Sequence, residues 1–212
     1  MTEDVRTKET RRRLIDATIE TIRTRGIASV SARTIAATGK VNQALIFYHF
    51  GSVQALLGEA SLVTTAERVA KYDEQFDSVT SFAGLIEVAT RLHAEEHAAG
   101  NVNVLAQVLA GSPANPELAK ATGQALQMWT DRVEQVLQRL LKDSPIGEAL
   151  DAKTLANLVS ATFIGLELVG PTKPGSPDAD LAGLERLGVL AELIDDLGPI
   201  ARRAVRAKLR KA

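Results

Sequence analysis

Apolar residues recur at intervals of three and four along most of the chain, which is the spacing of amphipathic helices. The first stripe runs from Leu14 to Ile22 and ends before Gly26, a residue type that favours helix C-termini. The sequence lacks the alternation of apolar and polar residues that indicates β-strands. The pattern therefore predicts an all-α protein.

Two short helices are predicted after the first stripe. Ser31 is placed to cap a helix that ends near Thr38, and Asn42 is placed to cap another that ends near His49. A short turn containing Gly39 joins them. Two helices in this arrangement form a helix-turn-helix, whose second helix enters the major groove of DNA.

Aromatic residues are concentrated in the second of these helices. The chain has one Trp, two Tyr and five Phe, and three of these eight lie between residues 47 and 50. Ile46 and Phe50 lie four apart and predict the core side of the helix. Gln43 and Phe47 share a different face, with Tyr48 beside them. Such a face suits base edges and phosphates better than it suits water.

Longer helices are predicted beyond residue 52. The segment 154–170 is apolar almost all round, which indicates a helix without a solvent-facing side. Gly198-Pro199 separates the last predicted helix from a basic tail. The predicted helices in this part of the chain are 53–76, 81–98, 103–110, 117–141, 154–170 and 179–197.

Composition narrows the class of protein. The 212 residues suffice for one ordinary domain or two small ones, and 45% hydrophobic with 24% charged residues is a soluble globular balance. The absence of cysteine excludes a disulfide framework and cysteine metal sites. The start of the chain lacks the apolar run of a signal peptide, and no stretch is long and apolar enough to span a membrane. We expect a cytoplasmic location.

Charge is divided unevenly along the chain. Residues 1–60 contain nine Lys and Arg against six Asp and Glu, whereas the remainder contains sixteen against twenty. The last eleven residues add six basic side chains and no acid. This division favours a polyanion as partner of the N-terminal part.

The segment "TRRRLIDATIETIRTRGIASVSARTIAATGKVNQALIFYHFGSVQALL" resembles the DNA-binding head of the tetracycline-repressor-type (TetR) family of transcriptional regulators. The resemblance covers about a quarter of the chain. It implies an all-α fold with a three-helix helix-turn-helix head, residues 1–51, on a larger helical ligand-binding and dimerisation domain, residues 52–212. It implies a non-enzymatic protein without a cofactor.

The resemblance also assigns roles to residues of the head. Gln43 falls at a base-reading position and could pair with adenine, while basic residues would contact phosphates. Lys40 stands where the family usually has a turn glycine, Leu45 where threonine is frequent, and Val53 where a lysine is common. The implied DNA-binding residues are Ser31, Arg33, Thr34, Lys40, Asn42, Gln43, Ala44, Leu45, Phe47, Tyr48 and His49.

The implied function is that of a ligand-responsive regulator, most simply a repressor that a small hydrophobic effector releases from a pseudo-palindromic DNA site. Such a protein acts as a homodimer because one head reads only one half-site. The predicted dimer interface comprises Leu155, Leu158, Thr162, Gly165, Leu166, Leu184, Leu187 and Ile194. The predicted effector pocket comprises Phe76, Phe82, Leu85, Ala89, His93, Leu105, Leu109, Met128, Trp129 and Phe163.

A different class of function is indicated by "HAEEH", which matches the H-x-x-E-H spacing of zinc hydrolases. His93 and His97 would share a helical face, with Glu96 beside them. Because a catalytic zinc needs a third protein ligand, a helical metal-dependent hydrolase or a ligand carrier is the alternative rather than the main prediction.

Overall fold

The structure is a computed structural model that describes residues 3–142, 144–148, 150–169, 186, 189–190, 192–193 and 196–209. These residues form helices joined by turns and contain no strand. Short 3-10 helices occupy Ile27–Ser29, Ser112–Ala114 and Pro145–Glu148. The described α-helices are α1 (Glu3–Arg25), α2 (Ala32–Gly39), α3 (Ala44–Phe50), α4 (Val53–Lys71), α5 (Asp73–Asp77), α6 (Phe82–Ala98), α7 (Asn101–Gly111), α8 (Pro116–Leu141), α9 (Ala152–Val169) and α10 (Pro199–Leu209).

The chain divides into two compact units. The first comprises Met1–Arg68 and His97–Gln127, and the second comprises Val69–Glu96 and Met128–Ala212. Residues within each unit contact one another more than they contact the other unit. The predicted functional division between residues 51 and 52 is a separate one and stays a prediction.

The first unit contains two apolar clusters. In one, the stripe of α1 meets α2, α3 and α4, and Leu14, Ile35, Ile46 and Leu56 are completely buried. In the other, α1 and α4 meet α7 and the start of α8. Burial of one such side chain stabilises a fold by about 1.5–3 kcal/mol, so these contacts hold the short helices in place.

The core of the second unit forms around Tyr72, Phe76, Val136 and Leu137, with residues of α6 and α9 packed against them. Arg132 crosses from α8 to α5, where its guanidinium forms ion pairs with Asp73 and Asp77. These polar contacts fix α5 on α8 at the edge of the apolar core.

The predicted continuous helix over 53–76 is wrong, because it breaks at Tyr72 into α4 and α5. The Tyr72 backbone leaves the helical region at φ −101° and ψ 2°. Its ring is completely buried, and its hydroxyl lies 2.9 Å from Oε1 of Glu96 and 3.0 Å from Oε2 of Glu95. Burial raises the pKa of Tyr72 to about 12. These contacts are made with residues of α6, so the sequence around Tyr72 does not by itself predict the break.

Beyond residue 76, the predicted helices agree with the structure within a few residues where they are described. The helix predicted over 103–110 begins earlier, at Asn101, and ends at Gly111. The basic tail forms α10 up to Leu209. The helix predicted over 179–197 falls largely outside the described residues. Among the residues that are described, no helix is long and apolar enough to cross a membrane.

Candidate DNA-binding surface

Helix α2 is fixed at its start by a capping box. The Ser31 hydroxyl accepts a hydrogen bond from the Thr34 N–H at 3.2 Å, and the Thr34 hydroxyl accepts one from the Ser31 N–H at 2.9 Å. These bonds satisfy donors that a helix N-terminus otherwise leaves unpaired. The predicted cap at Ser31 is confirmed.

The turn after α2 has an unusual backbone. Lys40 adopts the left-handed conformation at φ 52° and ψ 45°, and among the described residues it is the one non-glycine with a positive φ. The Val41 N–H then donates to the Ala36 carbonyl at 3.0 Å, which closes the end of α2. Lys40 therefore adopts a backbone conformation that favours glycine.

Helix α3 begins at Ala44, two residues after the predicted cap. The Asn42 side-chain oxygen accepts a hydrogen bond from the Ala44 N–H at 2.9 Å, so Asn42 still satisfies a donor at this end of the helix.

The two faces of α3 differ as the sequence predicts. Ile46 is completely buried, and Phe50 packs against the same apolar cluster. Phe47 and Tyr48 are 52% and 80% exposed, and Gln43 is exposed beside them. Exposed large aromatics on a short helix indicate a surface that meets a partner.

Three of the other predicted contact residues have different surroundings. Leu45 is partly buried against the apolar cluster, and His49 is partly buried with its ring 4.8 Å from the Tyr48 ring. The Thr34 hydroxyl donates to the Ser29 carbonyl at 2.7 Å. A phosphate contact by Thr34 would have to replace that bond, because a hydroxyl has one proton.

Basic side chains flank this surface. Arg33 on α2 and Lys40 in the turn are both exposed. Neither forms an ion pair with another residue in the described part of the chain. Their charges are available to phosphates, which supply most of the affinity in protein–DNA binding.

Gly51 ends α3 with φ 77°, and its N–H donates to the Phe47 carbonyl at 3.0 Å. A Cβ at this position would meet nothing within 4 Å, so only the backbone conformation resists substitution. Gly51→Ala is expected to lower the free energy of unfolding by about 1–2 kcal/mol in urea titrations, because a side chain disfavours positive φ.

Gly123 in α8 provides the matched control, since a Cβ there also meets nothing within 4 Å and its φ is not positive. Gly123→Ala is expected to raise the free energy of unfolding by about 0.5–1 kcal/mol. Equal effects of the same sign at both positions would contradict this interpretation.

Sequence reasoning did not single out Arg11, which reaches α3 from α1. Its Nη1 donates to the His49 carbonyl, its Nη2 pairs with Glu59 on α4, and its guanidinium carbon lies 4.3 Å from the centre of the Phe50 ring. Arg11 stands in a run of three arginines, and its own partners lie 38 and 48 positions later in the sequence. Only the helical phase of α1 could have distinguished it from its neighbours.

The predicted effector-pocket residues are divided between the two compact units. Leu105 and Leu109 belong to the first unit and the other eight to the second. Within the second unit, Phe76 and Leu85 are core residues, and the His93 ring lies 5.5 Å from the Phe163 ring. Met128 lines an open cleft of about 370 Å³ together with Asp73, Asp77, Arg132 and others. The pocket stays a prediction.

The predicted dimer residues on α9 differ in their exposure. Leu155 packs against the core of its own unit, whereas Leu158 is 53% exposed and Thr162 is exposed. Gly165 is half-buried, and the helix continues through Leu166. Leu184, Leu187 and Ile194 lie outside the described residues.

The H-x-x-E-H segment lies on α6. Within the described ranges, no group of three or more His, Asp or Glu side chains could hold a metal ion. Glu96 is buried and bonded to the Tyr72 hydroxyl, and the His93 ring is stacked on its edge against Phe163. The geometry gives no support to the hydrolase alternative.

Comparison with known proteins identifies the head. Residues 14–60 match the family described as bacterial regulatory proteins, tetR family. The N-terminal part of this chain is therefore a tetR-family domain, and the resemblance predicted from Thr10 to Leu57 is confirmed. No curated protein matches the sequence.

Solved structures share the fold over most of the chain. A transcriptional regulator from Rhodococcus sp. Rha1 is similar with a TM-score of 0.70 and 20% identity, covering 89% of this chain and 99% of that one. A fatty acid degradation regulator from Bacillus halodurans gives 0.69 and 17%, covering 84% and 96%. A protein from Saccharomonospora viridis in complex with choline gives 0.66 and 24%, covering 85% and 95%.

The shared fold confirms an all-α protein with a helix-turn-helix head on a helical body. The head with its exposed aromatic face, together with the family match, defines the class as a DNA-binding transcriptional regulator.

Proposed function

We propose that this protein is a homodimeric repressor that binds a pseudo-palindromic DNA site and leaves it when a small hydrophobic effector binds. The observation that carries the proposal is the outward face of α3, where Phe47 and Tyr48 are exposed beside Gln43. Large aromatic side chains exposed side by side on a helix of seven residues suit a surface that contacts a partner.

The proposed readout divides the surface into positioning and sequence recognition. Arg33 and Lys40 neutralise phosphates and set the register of α3 in the groove. Gln43 forms a bidentate contact with adenine, and Ala44 or Phe47 rests on thymine methyl groups. Because Phe47 has no hydroxyl group, its proposed contacts with the bases are apolar.

The proposed dimer uses α9. Thr154, Leu158 and Ala161 are exposed and lie with Gly165 on one face of the helix. A Cβ on Gly165 would meet nothing within 4 Å in the protomer. Small residues around one leucine allow another helix to approach closely, and a two-fold partner would present the same face.

The proposed effector site lies among the helices of the second unit. One solved structure of similar fold is a complex with choline, so a protein of this fold can bind a small organic molecule. The mostly apolar set of predicted pocket residues favours a hydrophobic effector. In one conformation of the proposed dimer the heads fit the two half-sites, and in the other they do not. An effector that binds the second conformation more tightly lowers DNA affinity by the difference between its two binding free energies.

The test begins with a duplex selected from random-sequence DNA by the wild-type protein, titrated by fluorescence anisotropy at several salt concentrations. We expect affinity to fall steeply with salt. Lys40→Gln should reduce the slope of log K against log salt by about one for each head, because each head loses one phosphate contact. Gln43→Ala should instead relax sequence preference, with each lost base contact costing about 1–3 kcal/mol.

Failure of the wild-type protein to select any duplex would overturn the proposed function. Zinc-dependent hydrolysis that disappears in His93→Ala would favour the hydrolase alternative instead.

A further inference from the structure

We propose that Arg11 is a positioning residue for DNA recognition, which holds the C-terminal turn of α3 in the orientation that presents Phe47 and Tyr48 to the groove. This inference rests on the proposed DNA-binding role of α3. It assigns Arg11 no contact with DNA.

The Arg11 guanidinium joins three helices of the first unit. It donates through Nη1 to the His49 carbonyl at the end of α3 and pairs through Nη2 with Glu59 on α4. Its guanidinium carbon lies over the Phe50 ring, 4.3 Å from the ring centre. With 33% of the Arg11 side chain exposed, the group is directed into the protein.

The contact with the His49 carbonyl stabilises the C-terminal end of α3. The last carbonyls of a helix have no partner within the helix and carry partial negative charge. A helix of two turns is unstable alone, so tertiary contacts fix its position. Ile46 anchors the middle of α3, and Asn42 satisfies its start. Arg11 supplies the contact at the end that carries Tyr48.

Glu59 contributes to the same arrangement, because its carboxylate holds the guanidinium of Arg11 in place. An arginine fork bonded at two nitrogens has fewer conformations than one bonded at a single nitrogen. Removal of Glu59 would therefore loosen Arg11 and, through it, the end of α3.

Arg12 and Glu67 form a natural control. Arg12 also extends from α1 to α4, where it pairs with Glu67, and it pairs with Asp16 on its own helix. No bond or ring contact of Arg12 in the described structure involves α3. The two ion pairs therefore link the same helices, but only the one at Arg11 touches the recognition helix.

A purely electrostatic role and a positioning role of Glu59 predict opposite changes in DNA affinity for the Glu59→Gln variant. Removal of a negative charge from a DNA-binding unit strengthens binding if only electrostatic attraction to phosphates matters. If Glu59 acts through Arg11, the same substitution weakens binding. Glu67→Gln removes the same charge from the same helix without affecting α3.

The experiment measures affinity for the duplex selected by the wild-type protein, with unfolding in urea as the check on folding. We expect Glu59→Gln to weaken binding by about threefold and Glu67→Gln to leave it unchanged or tighter. Arg11→Met should weaken binding by about tenfold, as expected for loss of a charged hydrogen bond, and more than Arg12→Met. The salt slope of Arg11→Met should equal that of Arg12→Met, because neither residue then counts as a phosphate contact.

Equal or tighter binding by Glu59→Gln would overturn the inference. A salt slope reduced by about one for each head in Arg11→Met alone would also overturn it, because Arg11 would then contact phosphate directly. If the wild-type protein selects no duplex at all, the proposed function itself fails; if it selects one and the four variants bind alike, only the inference about Arg11 fails.

Discussion

Ile46→Ala is expected to lower the free energy of unfolding by about 3 kcal/mol and to abolish specific DNA binding with it. Ile46 is the completely buried residue of α3, and it belongs to the same apolar cluster as Leu14, Ile35 and Leu56. Its truncation leaves a cavity in a closely packed core, and the surrounding helices relax only in part. Urea unfolding followed by circular dichroism measures the change.

Phe47→Ala, one residue later, provides the contrast. Because Phe47 is 52% exposed, its truncation should change the free energy of unfolding by no more than about 0.5 kcal/mol. It should nevertheless weaken binding to the selected duplex and reduce the preference for thymine-containing sequences. If Ile46→Ala is as stable as Phe47→Ala, the assignment of the two faces of α3 is wrong.

Leu158→Glu is expected to produce a monomer and to weaken binding to a two-half-site duplex by about 100-fold or more. The proposed dimer connects two heads, so that binding of one head raises the effective concentration of the other at its half-site. A carboxylate on the outward face of α9 would be buried without a partner in that dimer, at a cost larger than most interfaces tolerate. Analytical ultracentrifugation gives the mass, and fluorescence anisotropy gives the affinity.

Thr80→Glu is the control for the added charge, because Thr80 is exposed in the turn between α5 and α6 of the same unit. We expect it to leave mass and affinity near those of the wild-type protein. A dimeric Leu158→Glu variant with normal affinity would show that α9 does not form the interface.

The helix-turn-helix was predictable because local residues determine it. The Ser31 cap and the apolar stripe of α1 depend on side chains within a few positions of the backbone they organise. The two faces of α3 follow from the spacing between Ile46, Phe47 and Phe50 in the same way. For these elements, sequence and structure agree.

Features that depend on distant residues were not predictable. The helix break at Tyr72 coincides with burial of its ring and with contacts of its hydroxyl to α6, more than twenty positions away. The contacts of Arg11 join α1 to residues 38 and 48 positions later. Leu45 has the sequence position of a groove contact, yet it is partly buried. In each case tertiary packing, which a single sequence does not reveal, decides the role of the side chain.

Lys40 has an unfavourable backbone conformation, but its charge serves the proposed DNA binding. A non-glycine residue in the left-handed region costs about 1–2 kcal/mol, which glycine would largely recover. Glycine would also remove the charge that, on the proposed function, contacts a phosphate. Selection for heat resistance alone should therefore replace Lys40 by glycine or asparagine, whereas selection for tight DNA binding should retain lysine.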